Sequence, residues 1–241
     1  MSIIKEKEMK KLCMKNGRFC AICHAELILK NEGGDETILA EEAHIYGRKS
    51  GSARYDPTMT DDQRNSSNNL ILLCRNCHKK SDSHTSEELI KIKQDYESWV
   101  SQRLKTEIGN ITFAELDMVT KYLISGHAKT DDSYTIVSPK DKIKKNALSP
   151  VTEQLITTGM IQAHQVTSFI NNYPDSDFGD RLKEGFVTEY KKLKDKEKLS
   201  GDDLFKGLMD FASGRSNDFK QIAAGLAVLV YLFGKCEVFE K

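Results

Sequence analysis

Four of the six cysteines form two C-x-x-C pairs, Cys20/Cys23 and Cys74/Cys77. Each pair can place two thiolates at adjacent corners of a tetrahedron, so the two pairs together can complete a Zn(Cys)4 site. Polar residues surround both pairs, which argues against four cysteines that serve only as small buried side chains. The first residues lack the apolar core of a secretory signal, so a disulfide framework is not expected. The spacing therefore predicts a structural zinc site.

A second set of reactive residue types lies between and beside these pairs. His44 ends the predicted strand that contains Glu41-Glu42-Ala43, Asn69 opens the next strand, and His78 directly follows Cys77. A neutral imidazole that titrates near neutral pH is suited to general base catalysis. His78 and Asp82 are four residues apart, which places them on one helical face where they can hold a divalent cation. These are the parts of a one-metal nuclease.

The order His44…Asn69…Cys74-x-x-Cys77-His78 resembles the HNH endonuclease family, the ββα-metal fold, in its zinc-stapled four-cysteine form. The resemblance covers about residues 18–104, including Trp99 in the trailing helix. It implies hydrolysis of DNA phosphodiester bonds, with His44 as general base and Asn69 pinning the loop that orients this base. It also implies that His78, together with Asp82, holds one Mg²⁺ or Mn²⁺, separate from the structural zinc.

One position departs from the family pattern. Many HNH enzymes carry an Asp or His metal ligand immediately before the base, and this chain has Ala43 there. Either His78 and Asp82 suffice for the cation, or Glu42 or Glu41 reaches it from the side; of these two, Glu42 is the predicted additional ligand. A degenerate nuclease that only binds nucleic acid stays an alternative.

The charge balance bears on how DNA would be held. Lys and Arg number 36 and Asp and Glu also number 36, so bulk charge cannot drive nucleic-acid binding. Any contact with DNA must come from a local patch, although a solvated charged loop is an equally good explanation for any single basic residue. The predicted phosphate-binding residues are Arg48, Lys49, Arg54, Arg75, Lys79 and Lys80.

Local patterns predict the elements that must position these residues. A capping residue at Thr85 or Ser86 and a capping box at Thr112 and Glu115 mark two helix starts. The predicted elements are a charged helix over 1–16, a strand over Thr37–Ile45, a polar loop over Tyr46–Ser67, a buried strand over Leu70–Leu73, and helices over Ser86–Leu104 and Phe113–Ile124.

The composition changes between Lys129 and Pro150, where large apolar residues are few. We predict an α+β protein with a nuclease domain over 1–128, a linker over 129–150 and an all-α domain over 151–241. No apolar run is long enough to span a bilayer, so a cytoplasmic protein without a membrane span is expected. The predicted helical segments are Val151–Ile170, Asp180–Leu193, Asp202–Phe211 and Phe219–Phe233.

The last of these segments is apolar on all sides, so it must be buried in its own core or against a partner. The sequence AVLVYLFGKCEVFEK and the preceding helices resemble a C-terminal module of effector subunits in bacterial ABC three-component defence systems of the Lamassu type. That resemblance implies docking on an SMC-like ABC ATPase and a middle subunit, which restrain the nuclease until foreign DNA is sensed. It also allows a homo-oligomer through the helical domain.

These patterns lead to one expected function and two alternatives. The expected function is a metal-dependent DNA endonuclease that acts as the effector of an anti-phage or anti-plasmid defence complex. A free-standing HNH restriction endonuclease is the first alternative, and its helical domain would supply dimerisation and site recognition. The second is a catalytically inactive zinc-knuckle module that binds nucleic acid.

Overall fold

The computed structural model describes residues 4–15, 18–30, 36–124, 138–235 and 239. The chain divides into two compact units, Met1–Val100 and Ser101–Lys241. Short strands and helices build the first unit, and helices build the second, so the fold is α+β as predicted. The predicted domain limits stay a prediction: 129–137 lie outside the described residues, and the rest of the proposed linker includes a helix at Pro139–Lys145.

Two small antiparallel sheets shape the first unit. One pairs β1 with β2, and the other pairs β3 with β4 so that His44 faces Leu70 and Ala40 faces Cys74. The elements are α1 (Glu6–Lys15), β1 (Ile28–Lys30), β2 (Glu36–Ile38), β3 (Ala40–His44), α2 (Asp61–Arg64), a 3₁₀ turn (Ser67–Asn69), β4 (Leu70–Cys74), α3 (Arg75–Ser81) and α4 (Ser86–Ile108), whose last residues belong to the second unit.

The single strand expected over Thr37–Ile45 is wrong, because the structure divides it at Leu39. The Leu39 amide donates to the Leu27 carbonyl at 2.7 Å, in register with the β1–β2 pairing, and from Ala40 onward the chain pairs with β4 instead. The polar loop after His44 also contains α2, which begins at Asp61 and has Thr60 as its N-cap. The Thr60 hydroxyl accepts from the Gln63 amide while the Gln63 side chain accepts from the Thr60 amide, a complete capping box.

The strand expected over Leu70–Leu73 is confirmed, and its four residues are at most 2% exposed. The helix expected after it is also confirmed, although α4 continues four residues beyond Leu104. The Thr85 amide donates to the Glu88 carboxylate at 2.7 Å, and the Glu88 amide donates back to the Thr85 hydroxyl. Packing on β4 and reciprocal capping therefore fix the elements that follow the second cysteine pair.

Helices make up the regular structure described in the second unit. The one periodic segment expected over Val151–Ile170 is two helices, separated at Ile161 and Gln162. The elements are α5 (Phe113–Ile124), α6 (Pro139–Lys145), α7 (Pro150–Met160), α8 (Ala163–Asn171), α9 (Phe178–Lys191) with a π-helical extension (Lys192–Lys196), α10 (Gly201–Ala212) and α11 (Phe219–Lys235).

The apolar helix α11 is the centre of the second unit, and it packs against α5, α7, α8 and α10. Its residues from Ile222 to Val230 are all buried, as the absence of a polar face predicts. A Cβ on Gly225 would lie 2.6 Å from the backbone of Ala212, so only glycine permits this approach to α10. Among the described residues, no helix combines the length and the hydropathy needed to cross a bilayer.

Candidate metal cluster and active site

The two C-x-x-C pairs converge in the first unit. The sulfur atoms of Cys20, Cys23, Cys74 and Cys77 all lie within 4.8 Å of one another, and those of Cys23 and Cys74 are 3.8 Å apart. A tetrahedral zinc site with Zn–S bonds of about 2.3 Å has sulfur–sulfur edges of about 3.8 Å. The four side chains therefore fit a structural zinc ion, in agreement with the prediction.

Backbone hydrogen bonds and local helix geometry place these four thiols. The Cys20 amide donates to Ala25 and the His24 amide returns to Cys20, which closes the first pair into a tight turn. His24 takes a left-handed conformation (φ 57°) to complete that turn. The second pair begins where β4 gives way to α3, with Cys74 as the N-terminal capping residue of the helix.

The thiols perturb one another because they are so close. Burial raises the pKa of Cys74, but hydrogen bonds from Cys77 and from the neighbouring thiols outweigh it and lower the pKa to about 7. Burial and the adjacent thiols raise the pKa of Cys77. Four thiolates in this space need a compensating cation, which is the role that zinc supplies in such clusters.

Aromatic side chains support the first cysteine pair from α4. The indole of Trp99 stacks on the His24 ring at 3.9 Å between centroids, with 23° between the planes. Phe19 meets the same indole edge-on at 5.9 Å, and Tyr96 lies 5.7 Å from it. His24 is thus part of the aromatic packing around the cluster.

His44 lies at the end of β3, at the far end of the β3–β4 pair from Cys74. Its Nε2 is buried and has no hydrogen-bond partner among the described residues. Burial lowers the pKa of His44, and the charges of Arg48 and His78 lower it further, whereas the Asn65 side chain and Glu42 raise it. The net lowering favours the neutral imidazole, the form that can accept a proton.

Asn69 fixes the chain directly after His44. Its Oδ1 accepts from the Tyr46 amide at 2.8 Å, and its Nδ2 donates to the Tyr46 carbonyl at 3.0 Å and to the Arg64 carbonyl at 2.9 Å. The Asn69 carbonyl also accepts from the Ile45 amide at 2.9 Å. The Asn69 residue is 5% exposed, so these bonds are protected from competing water.

His78 and Asp82 have different neighbours. The Nδ1 of His78 lies 2.9 Å from the Oε2 of Glu41, and both side chains are 40% exposed. Asp82 caps the end of α3 with a side chain that is 80% exposed, and its Oδ1 lies 3.7 Å from Arg54. In the described ranges the four cysteines alone form a group of three or more close metal-ligand atoms.

Strand alternation explains why Glu41 reaches His78. Successive side chains of a strand point to opposite faces, so Glu41 shares a face of β3 with Ala43, and Glu42 shares the other with His44. Ala43 is 1% exposed and carries no ligand atom. The family pattern has a metal ligand at the position of Ala43. Glu41, two residues before Ala43, therefore offers a carboxylate on the same face of β3.

The six basic residues predicted to bind phosphate fall into two groups. Lys49, Arg75, Lys79 and Lys80 are exposed and Arg48 is half-buried. The sixth, Arg54, has a side chain that is only 10% exposed, and its guanidinium donates to backbone carbonyls.

Beside Arg75 an open groove of about 450 Å³ is lined by Ile38, Leu39, Ala40, Glu41, Cys74, Arg75 and Asn76.

The fold and these side chains define an HNH endonuclease domain, and residues 20–85 match the family described as HNH endonuclease. A second match covers residues 114–240, a little over half of the chain. The chain belongs to that second family, C-terminal domain 10 of the ABC-three component (ABC-3C) systems. No curated protein and no solved structure matches the chain.

The sequence does not predict the roles that three residues have near the site. Its pattern places Arg54 at phosphate, gives Glu41 only as an alternative to Glu42, and offers no signal for Asn65, whose side chain counteracts the effect of burial on the pKa of His44. The two-residue alternation from Ala43 was the available signal for Glu41. No local pattern could identify the contacts of Arg54, because its partners are backbone carbonyls that any residue type supplies.

Proposed function

We propose that this protein is a metal-dependent DNA endonuclease that serves as the nuclease effector of an ABC three-component defence system. The observation that carries the proposal is the presence, in one chain, of an HNH domain over residues 20–85 and an ABC-3C C-terminal domain over 114–240. The first supplies the chemistry, and the second supplies the attachment to partner subunits.

His44 is the proposed general base, and Asn69 the residue that holds it in place. Phosphodiester hydrolysis requires a group that takes a proton from the attacking water. The imidazole of His44 is half-buried and its pKa is lowered by burial, so it is neutral and able to accept that proton near pH 7. Asn69 binds both backbone groups of Tyr46 and so restrains the chain that leaves the base.

The proposed catalytic cation is Mg²⁺ or Mn²⁺, and the residues that would hold it are His78 with Asp82 and the glutamates of β3. Glu41 and His78 fit such a site best, because their ligand atoms already lie 2.9 Å apart. Asp82 and Glu42 are further candidates. When bound, the ion would stabilise negative charge on the phosphate and on the leaving oxygen. The remaining coordination positions would be open to water and phosphate.

Double-stranded DNA is the proposed substrate, held through phosphate contacts from Arg48, Lys49, Arg75, Lys79 and Lys80. Because the whole chain carries no net charge, these local cations must supply the attraction. The proposed partners are an SMC-like ABC ATPase and a middle subunit of a Lamassu-type system, which restrain the nuclease in the cytoplasm. Oligomerisation through the helical C-terminal domain is a further part of the proposal.

Cleavage of supercoiled plasmid tests the proposal. The purified full chain is incubated with Mg²⁺ or Mn²⁺ beside His44→Ala, with His164→Ala as a matched control from an exposed position on α8. We expect cleavage by the wild type and the control, and a loss of about 100-fold or more in His44→Ala, the usual size of a general-base contribution. Equal cleavage by wild type and His44→Ala would contradict the role of His44.

The same assay separates the alternatives. Discrete fragments from a defined duplex sequence, obtained without partners, would favour a free-standing restriction endonuclease. Zinc content and DNA binding without any cleavage, including after co-expression with the neighbouring ATPase and middle-subunit genes, would favour the inactive binding module. Cleavage that is suppressed by these partners and released by foreign DNA would favour the restrained effector.

A further inference from the structure

We propose that Arg54 is a positioning residue that holds the two arms of the candidate active site at a fixed separation. One arm is the end of β3, which carries His44, and the other is the end of α3, which carries His78. The inference rests on the proposed nuclease function, and it gives Arg54 a role other than phosphate binding.

The guanidinium of Arg54 reaches backbone carbonyls on both arms. On the β3 side its Nε donates to Ile45 at 2.8 Å and its Nη2 donates to His44 at 3.1 Å. On the α3 side its Nη1 donates to Ser81 at 3.0 Å and to His84 at 3.1 Å. One rigid planar group therefore joins residues 44–45 to residues 81–84.

Arg54 adds a donor to the carbonyls on the α3 side, where the Ser81 carbonyl also accepts from the His84 amide at 3.1 Å. The last carbonyls of a helix have no partner within the helix, and α3 ends at Ser81. The side chain of Ser81 is occupied locally, because its hydroxyl donates to the His78 carbonyl at 2.7 Å. A cation at this end also interacts favourably with the helix dipole. Arg54 thus stabilises the C-terminal end of α3, the helix that contains His78.

An arginine is required for this geometry. Only the guanidinium has donors fixed in a planar fork, whereas a lysine ammonium is a compact point charge that cannot reach four separated carbonyls. The side chain is 10% exposed, and Asp82 lies 3.7 Å from Nη2 on the outer side. Arg54 also holds a left-handed backbone conformation (φ 60°), which is uncommon for a residue with a side chain and costs about 1 kcal/mol. Contacts of the guanidinium offset that cost.

The consequence is that the distance between base and cation ligand depends on a residue that contacts neither substrate nor cation. In-line hydrolysis is sensitive to small displacements of the reacting groups. Loss of the Arg54 contacts would let the end of β3 and the end of α3 move independently. Turnover would then fall, while the exposed lysines and arginines would still bind DNA.

Steady-state cleavage kinetics of Arg54→Lys test this. We expect kcat to fall about 10-fold or more with KM for plasmid unchanged, because lysine keeps the charge but not the fork. The matched control is Arg64→Lys, which removes another buried guanidinium from the same loop. Arg64 donates to the Asp56 carbonyl and lies over the Tyr55 ring, so neither arm of the site loses a bond. A raised KM with kcat unchanged in Arg54→Lys would identify a phosphate contact and overturn the inference.

Chemical rescue adds a readout that general instability would not produce. In Arg54→Ala, millimolar guanidinium chloride should restore part of the lost kcat by entering the vacated space, and equal sodium chloride should not. A variant that is merely less stable would lose activity further in guanidinium. Absence of rescue, together with wild-type kcat in Arg54→Lys, would overturn the inference.

Amide hydrogen exchange by NMR separates this inference from the nuclease function, because it needs no cleavage. In Arg54→Lys the amides of Ile45 and His84, which donate to Asn69 and Ser81, should exchange faster, while amides in the centre of β4 should not. Unchanged exchange at both would overturn the inference. Faster exchange at these amides, in a protein whose wild type never cleaves DNA, would support the positioning role of Arg54. It would at the same time reject the proposed nuclease function.

Discussion

The two units of this chain are stabilised in different ways. The first has two sheets of two strands each, four clustered thiols and many bonds from side chains to backbone carbonyls. The second surrounds α11 with helices, and 12 of the 17 residues of that helix are buried. Small units with limited cores commonly require a metal or other cross-link, whereas helical units of greater core size do not.

This difference suits the two proposed tasks, catalysis in the first unit and attachment to partners in the second. Long polar side chains in the first unit set positions atom by atom: Lys93, for example, donates to the carbonyls of Ser67 and Leu70 at 2.8 Å each, beside Asn69. Such bonds are directional, so they can define the geometry of a reacting site. Packing in the second unit is less directional, and it gives a stable body from which a partner can be engaged.

Removal of zinc should have the largest effect and should separate the two units. Chelation, or Cys74→Ser, should unfold the first unit, since binding of structural zinc contributes on the order of 10 kcal/mol to such domains. Trp99, the one tryptophan of the chain, stacks beside the cluster, so its fluorescence should shift to the red. Most of the helical circular dichroism should persist.

Cys13→Ser is the control for that experiment, because Cys13 is exposed on α1 and lies outside the cluster. It should leave both the fluorescence and the zinc content of about one ion per chain unchanged. If Trp99 emission stays unchanged after complete loss of the metal, the first unit does not depend on zinc for its folding, and the proposed difference between the two units is wrong.

Gly225→Ala should have an intermediate effect, and in the second unit only. The new methyl group would lie 2.6 Å from the backbone of Ala212, which cannot yield without moving α10. We expect the free energy of unfolding to fall by about 2 kcal/mol, a usual cost of overpacking. Urea denaturation followed by far-ultraviolet circular dichroism would measure it.

Gly234→Ala on the same helix is the matched control. Its added methyl group would lie 3.9 Å from Pro139, an ordinary contact, so removal of a helical glycine should stabilise by about 0.5–1 kcal/mol. Equal stability of the two alanine variants would show that the close contact between α10 and α11 does not exclude a side chain at position 225.

The smallest effects should come from two carboxylates that play parallel roles, one in each unit. Glu8 accepts the Ser67 amide at 2.8 Å and Asp202 accepts the Ser149 amide at 2.9 Å. Burial raises the pKa of each carboxyl, but these hydrogen bonds outweigh it, so both pKa values are lowered. The stabilisation is therefore complete above the unfolded pKa and is lost as the pH falls through the lower folded value.

Glu8→Gln and Asp202→Asn should each cost about 1 kcal/mol at pH 7, and the difference from wild type should shrink as the pH falls below about 4. Trp99 fluorescence reports the first variant and circular dichroism the second. A penalty that grows on acidification would contradict the assigned direction of the pKa changes.

The sequence predicted those elements whose determinants are local. The cap expected at Thr85 or Ser86, the pair Thr112/Glu115 and the spacing of the cysteines are all local signals, and the structure shows a cap at Thr85, a bond from the Thr112 amide to Glu115 and four converging thiols. The pair Thr60/Gln63 is the same kind of signal. The polar composition around it nevertheless predicted a loop in place of the short helix α2.

Determinants that lie far apart in the sequence could not be predicted. The expected strand is divided at Leu39 because its two halves pair with different strands, β1 and β4, and Arg54 binds carbonyls up to 30 residues away. A backbone carbonyl has no residue-type signature, so the pattern of basic residues around Arg54 suggested a phosphate contact. The two-residue offset of Glu41 from Ala43 likewise becomes meaningful only when the β3–α3 packing is known.

The position of α11 has a consequence for biosynthesis. Helices α5, α7, α8 and α10 all precede it in the chain, and all bury apolar side chains against it. During translation these helices leave the ribosome before α11, which covers them. Their apolar faces therefore stay uncovered by α11 until residues 219–235 have been synthesised. The first unit, whose second cysteine pair is complete by residue 77, can assemble earlier. The nascent chain would therefore contain a folded HNH domain before it contains the complete ABC-3C C-terminal domain.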